Sequence, residues 1–295
     1  MHLFFLDLGF GLVTASILTI AATGFTLQFG IGNLFNLGFG ATMTAAAFVA
    51  YQVNAAGANI WVSVVVASVF GAVLSWLINR AVYSPFRKRV TSLFSMIMVT
   101  LAIEIIVQYG IEAIWGANDF SYNMAVGRSV HIGAMIFTST QLIVIVIALA
   151  MSLGLHLVLR YTRLGKAMRA VAVNDRLARN CGIPVRFVVD STWLLSGALC
   201  GLAGVTLVMD VQTLNSGTGS DQLILIIATA VLGGIGSPYG AMLGALVIGL
   251  VSEVSAGVIT PEFKDVSAFL ILGLVLLLRP TGIISSIAST KEVAH

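Results

Sequence analysis

Few residues in this chain are of a type that could do chemistry, and Glu104 stands first among them. It lies about midway along the apolar run Leu93–Trp115. An ionisable group there either lines a solute path through a membrane or is held by hydrogen bonds between packed helices. Asn33 and Asn36, set among Gly30, Gly32, Gly38 and Gly40, pose the same choice between polar lining beside an unwound turn and interhelical hydrogen bonding. A third candidate is "LGGIGSPYGAMLG" (Leu232–Gly244). Ser237-Pro238 interrupts its helical pattern, and broken helices line membrane pathways with their terminal dipoles. Gly233, Gly234 and Gly236 are lining candidates on that ground, with a tight turn as the alternative. Gly240 and Gly244, four residues apart, read as packing positions.

Other chemistries are missing their parts. Gly165-Lys166 is followed by Ala167 where a phosphate-binding loop needs Ser or Thr, and Arg160 stands where its first Gly should be. No nucleotide site is expected, so any ATP hydrolysis belongs to a separate subunit. Cys181 and Cys200 have no CxxC spacing, and His2, His131, His156 and His295 form no HExxH pattern. Neither a metal site, a disulfide nor a cofactor is expected. No Ser–His or paired-Asp arrangement suggests hydrolysis. The chain does not read as an enzyme.

The elements that must position these residues are set by composition. The 295 residues are 58% hydrophobic and 9% charged, against about 25% charged in soluble domains. So much apolar surface needs lipid as its solvent. The opening "MHLFFLDLGF" lacks the basic stretch of a signal peptide and reads as the approach to a retained first span. Apolar runs of spanning length fall at Leu8–Phe29, Asn33–Val53, Ile60–Asn79, Leu93–Trp115, Met135–Leu159, Phe187–Met209 and Gly240–Ile259. The shorter runs Gln222–Gly236 and Val266–Leu278 reach about 20 Å, against a hydrocarbon core of roughly 30 Å. The expected fold is an all-α polytopic membrane protein of about eight to ten spanning or half-spanning helices, one domain over residues 1–295.

All but Arg128 and Lys264 of the fifteen Lys and Arg lie in the expected loop "RAVYSPFRKR" (Arg80–Arg89), in the insert Arg160–Arg186, or at Arg279 and Lys291. Positive charge marks the cytoplasmic side, and the spans between these stretches are even in number. The C-terminus is therefore expected in the cytoplasm and, with nine spans, the N-terminus outside. The insert cannot itself span, since each Arg or Lys costs roughly 2.5–3.5 kcal/mol at a helix centre. Its pattern is helix, turn, helix. Leu164, Met168 and Val171 make an apolar stripe, Asn174 or Asp175 caps a second helix with Leu177, Ala178 and Cys181, and Gly182 with Pro184 ends it. A solvated connector, a strip held to anionic lipid and a docking element for a cytoplasmic protein all fit that pattern.

"TRLGKAMRAVAVNDRLARNCGI" (Thr162–Ile183) resembles the cytoplasmic loop of permeases in the branched-chain amino-acid ABC importer family, the LivH/LivM type. "LGGIGSPYGAMLGALVIGLVSE" (Leu232–Glu253), "LRPTGI" (Leu278–Ile283) and, more weakly, "GIGNLFNLGFGATMTAAAFVAY" (Gly30–Tyr51) agree with it in the same order. The resemblance covers essentially the whole chain. It implies a bacterial inner-membrane permease subunit paired with a second permease, a copy or a paralogue. Two ATPase subunits dock beneath, and a periplasmic binding protein delivers branched-chain amino acids or related solutes. Lipid is the surrounding solvent, and nucleic acid has no part. In that picture residues 160–186 are the ATPase-coupling loop. Arg163, Gly165, Arg169, Asp175 and Gly182 match the family pattern there, and Met168 belongs to the stripe beside them. The chain departs from the family at Phe39, often His, and in "LNSGTGSDQ" (Leu214–Gln222), which lacks a common Pro. Permeases for urea or short amides look alike, and an ion-coupled carrier with Glu104 as proton carrier is the rival from another class.

Overall fold

The computed structural model describes residues 2–89, 92–124, 127–132, 135–258, 260, 263–279 and 281–284. Ile259, Pro280, Lys291 and His295, used in the sequence reading, lie outside them. Among the described residues, six helices are long and apolar enough to cross a membrane: Leu6–Gly32, Ile60–Arg87, Phe94–Trp115, Ser139–Tyr161, Val185–Val211 and Pro238–Val258. The chain is a multi-pass, all-α membrane protein. In order, the helices are α1 (His2–Gly32), α2 (Phe39–Ala55), α3 (Ile60–Ile78), α4 (Ser84–Arg89), α5 (Leu93–Trp115), α6 (Ser139–Tyr161), α7 (Arg163–Val173), α8 (Asp175–Asn180), α9 (Val185–Val211), α10 (Thr218–Gly233), α11 (Pro238–Val258) and α12 (Lys264–Leu278). A two-stranded antiparallel ribbon, β1 (Ser129–Ile132) and β2 (Met135–Thr138), precedes α6.

Three boundaries differ from the sequence reading, each for a local reason. Residues Met135–Thr138 are strand, not the start of a span. The helix begins at Ser139 because Thr138 and Gln141 form a reciprocal capping box: Gln141 N–H donates to Thr138 Oγ1 (3.2 Å) and Thr138 N–H to Gln141 Oε1 (3.0 Å). The run from Asn33 is not helical before Phe39. Asn33 stands in the left-handed region (φ 45°) just past the end of α1. The segment that expectation treated as a loop, Arg80–Arg89, instead continues α3 through a wide π turn, Asn79–Tyr83, into α4. Pro85 has no N–H, and its ring collides with the carbonyl four residues back in a regular helix; a π turn relieves both.

The chain divides into two compact units. One is Leu27–Met124 with Leu159–Ile224; the other is Met1–Thr26, Ala125–Val158 and Leu225–His295. In the first, α9 packs on α3 and α2 through glycines. A Cβ on Gly201 would strike the Ala67 carbonyl of α3, and one on Gly204 the Met43 carbonyl of α2. These are the close backbone approaches that small residues permit where lipid supplies no hydrophobic drive, and "GALCG" (Gly197–Gly201) is the packing motif expected. In the second unit α11 meets α1 at Gly249 and Ala15. There Glu253 accepts from Thr14 Oγ1 (2.6 Å) and pairs with Lys264 of α12.

Candidate functional site

In the first unit the polar candidates converge on the start of α2. Thr100 Oγ1 donates to the Phe35 carbonyl (3.1 Å), fixing residues 33–38 to α5. Asn36 is buried, donating to Gln28 Oε1 (2.7 Å) and accepting from Tyr83 OH (2.9 Å). Gln28 in turn donates to Ser75 Oγ (3.0 Å). One asparagine thus ties together α1, α3 and the π turn. Asn33, by contrast, is exposed, and the structure separates the two.

Glu104 is 6% exposed and occupied by this chain's own donors. Ala41 N–H, in the first turn of α2, donates to Oε2 (3.0 Å), and Ser220, in the first turn of α10, donates through Oγ to Oε1. Both helices are short, at 17 and 16 residues, and both present their N-terminal ends to this carboxylate, the polarity a helix dipole favours. Their first turns are in backbone contact: a Cβ on Gly40 would lie 2.9 Å from the Gly219 carbonyl. Gly219 N–H donates to Thr44 Oγ1 (2.9 Å). The start of α10 is set from its other side by Asn215, which accepts from Gly217 N–H (3.1 Å). The Phe120–Leu214 backbone pair (2.8 Å in each direction) holds the preceding loop. Ser220, Thr44, Tyr83 and Gln28 were not singled out from sequence, because nothing local distinguishes them from other polar residues in helices.

The basic insert folds as read. Thr162 caps α7 by accepting from Gly165 N–H (3.0 Å), and Asn174 caps α8 by accepting from Leu177 N–H (3.0 Å). Gly182 ends α8 at φ 79°. Ile183 N–H reaches the Ala178 carbonyl (3.0 Å) and Gly182 N–H the Arg179 carbonyl (3.1 Å), a Schellman motif. Gly165, Met168 (2% exposed) and Val171 are buried, with α7 packed on α8 and α9. Arg169 donates back to the Leu159 carbonyl at the end of α6. Met168 and Val171 of the apolar stripe thus face inward, into the insert's own packing. The open face carries Val173 and Leu177 among Arg163, Lys166, Asp175 and Arg176.

In the second unit, Gly233 and Gly234 are buried in the turn between α10 and α11, and Gly236 is half-buried. A Cβ on Gly233 would enter the Gly240 carbonyl group, and one on Gly244 would lie 2.9 Å from Gly233 N. Gly234, at φ 107°, lies under the segment after α12. Ile283 N–H donates to the Leu232 carbonyl (2.9 Å) and Ile284 N–H to that of Gly233 (3.0 Å). Two stretches that matched the family separately, at Leu232 and at Leu278, are the two halves of one contact. Among the described residues no group of three His, Cys, Asp or Glu could hold a metal ion.

A sequence profile described as the branched-chain amino acid transport system permease component matches residues 8–278. The chain belongs to that family. It is 33% identical over 304 residues to the high-affinity branched-chain amino acid transport system permease protein LivH of Escherichia coli (strain K12), covering 96% of both chains. It is 31% identical to the permease protein BraD of Pseudomonas aeruginosa, covering 93% of both. A solved structure, PsaBC from Streptococcus pneumoniae in complex with Fab, shares the fold at a TM-score of 0.51 and 15% identity, covering 97% of this chain and 94% of that one. As a member of this family, the chain is a transporter subunit.

Proposed function

We propose that this chain is the membrane subunit of an ATP-driven importer and forms, with a second permease, the path for branched-chain amino acids. A periplasmic protein delivers the solute, cytoplasmic ATPases dock on residues 160–186, and the C-terminus faces the cytoplasm. The observation that carries the coupling role is the insert's construction. Two capped helices pack on α9, and Gly165, Met168 and Val171 of α7 are buried, a seat that could transmit a push to the spans. Their open face presents Val173 (50% exposed) and Leu177 (60% exposed) within a basic surround. Arg163, Arg169 and Asp175 lie on or beside that face, and Gly182 closes it.

Glu104 and Asn36 are assigned to the joint at the start of α2 and α10. With both Glu104 oxygens accepting from helix termini, the carrier reading has no support in its geometry.

Val173→Asp and Leu177→Asp are expected to insert normally, yet to lower ATPase co-purification about tenfold and to uncouple hydrolysis from uptake in proteoliposomes. Met168→Asp is expected instead to lower yield, because it charges a buried position. Normal ATPase binding in both surface variants would overturn the docking face. For orientation, cysteines at Asn180 and Thr213 should label only from the cytoplasm and only from outside, respectively.

A further inference from the structure

α3 carries its small residues inward. Ala67, Gly71 and Ser75 face α9, where backbone meets backbone. Its outward face is different: Val62, Val65, Val69, Val73 and Leu77 are each about half exposed. Helix faces that pair with other helices in a bilayer are rich in small residues. This face has none on its exposed row, and its β-branched surface fits disordered acyl chains better than another backbone. At one end the row changes character. The Arg80 guanidinium stacks over the Trp76 ring at 5.3 Å, and Arg80 Nη1 stands 3.9 Å from Asp190 Oδ2 of α9. Arg186 lies one turn before Asp190, on the same side of that helix, with exposed Phe187 beside it. Asp190 is the acid at this end, and its contact with Arg80 is a single long one, so the α3–α9 seam ends with net positive charge. From Val69 to Arg80 the row runs about 16 Å, roughly one leaflet of a hydrocarbon core of roughly 30 Å.

We propose that this outward face of α3, together with the charged end of its seam with α9, holds one anionic phospholipid. Arg80 and Arg186 take its phosphate, Trp76 and Phe187 flank the glycerol level as interfacial aromatics, and one acyl chain lies along Val69, Val73 and Leu77. The Arg fork suits a phosphate oxygen pair better than an ammonium would. The headgroup must carry net negative charge, since the choline of a zwitterionic lipid would face two guanidiniums.

The test is native mass spectrometry of the full-length chain in mild detergent, titrated with phosphatidylglycerol or with phosphatidylcholine of the same acyl chains. The wild type should bind phosphatidylglycerol at least about tenfold more tightly, with the preference unaffected by millimolar inorganic phosphate. Arg80→Gln combined with Arg186→Gln should abolish the preference. Lys166→Gln combined with Arg179→Gln removes equal charge away from the seam and should leave the preference within about twofold. Equal binding of both lipids, or an unchanged preference in the Arg80/Arg186 variant, overturns the proposal. So does efficient disulfide cross-linking of Val73→Cys between two chains, which would make the face a contact between copies. Displacement by inorganic phosphate would reduce the site to one for free anions and overturn the lipid assignment.

Discussion

The two joints described above solve the same problem by opposite means. In both, helix ends meet with backbone against backbone. At Gly40 and Gly219 the contact is reinforced by side chains: Glu104 takes Ala41 N–H and the Ser220 hydroxyl, and Thr44 takes Gly219 N–H. At Gly233 and Gly240 it is closed by backbone groups, Ile283 and Ile284 donating to the carbonyls of 232 and 233. Ser237 Oγ, accepting from Gly240 N–H (3.2 Å), is the side chain that assists. A joint made of side-chain bonds can be weakened in steps by mutation. One made of backbone contact tolerates almost nothing but glycine, because neither partner can move aside.

The largest effect should therefore fall on the backbone joint. Gly233→Val places its branched carbon inside the Gly240 carbonyl group, an overpacking cost of about 3 kcal/mol or more. Little folded protein should be recovered in a size-exclusion assay. Recovery at wild-type yield would show that the two turns can separate.

The next effect divides two substitutions at one position. Glu104→Ala leaves Ala41 N–H and Ser220 unpaired, at roughly 1–3 kcal/mol for each buried group, and should lower the melting temperature in detergent and abolish uptake. Glu104→Gln keeps an acceptor for Ala41 N–H and a donor for Ser220 Oγ, so both stability and uptake should be largely retained. Loss of uptake in the Gln variant at unchanged melting temperature would move Glu104 from the joint into transport chemistry.

The smallest effect is expected from Ser237→Ala, which removes one helix cap at about 1 kcal/mol while the backbone contacts persist. Thermal unfolding should shift only slightly. A loss as large as that of Glu104→Ala would mean that the two joints differ less than their construction suggests.

What could be read along the chain tracks how local each determinant is. The cap at Asn174 and the stop at Gly182 involve residues within five positions of one another, and they stand as expected, with Asn174 rather than Asp175 as the cap; the Thr162 cap is equally local but was not read. The Thr138–Gln141 capping box was equally local and would have moved the start of α6 from Met135 to Ser139. Hydrophobicity outweighed it, because Met135, Ile136 and Phe137 are as apolar in a ribbon as in a span. The π turn left a trace in Pro85, yet the positively charged neighbours of that proline read as loop.

By itself the sequence determined that this protein lives in lipid, where most of its apolar helices lie, where charge gathers, and which family it belongs to. These follow from composition and from patterns spanning a few turns of helix. Only the tertiary structure decided what each polar residue is for. Met168 faces inward because α9 lies beneath α7. Glu104 serves two helix ends because Ala41 and Ser220, 63 and 116 residues away, arrive at its two oxygens. The glycines at 233 and 234 meet a segment some fifty residues further on. In a chain where nearly every helix is apolar all round, hydrophobic periodicity does not say which side faces which neighbour. That information lies in close backbone contacts and paired polar groups, and these exist only once the helices are packed.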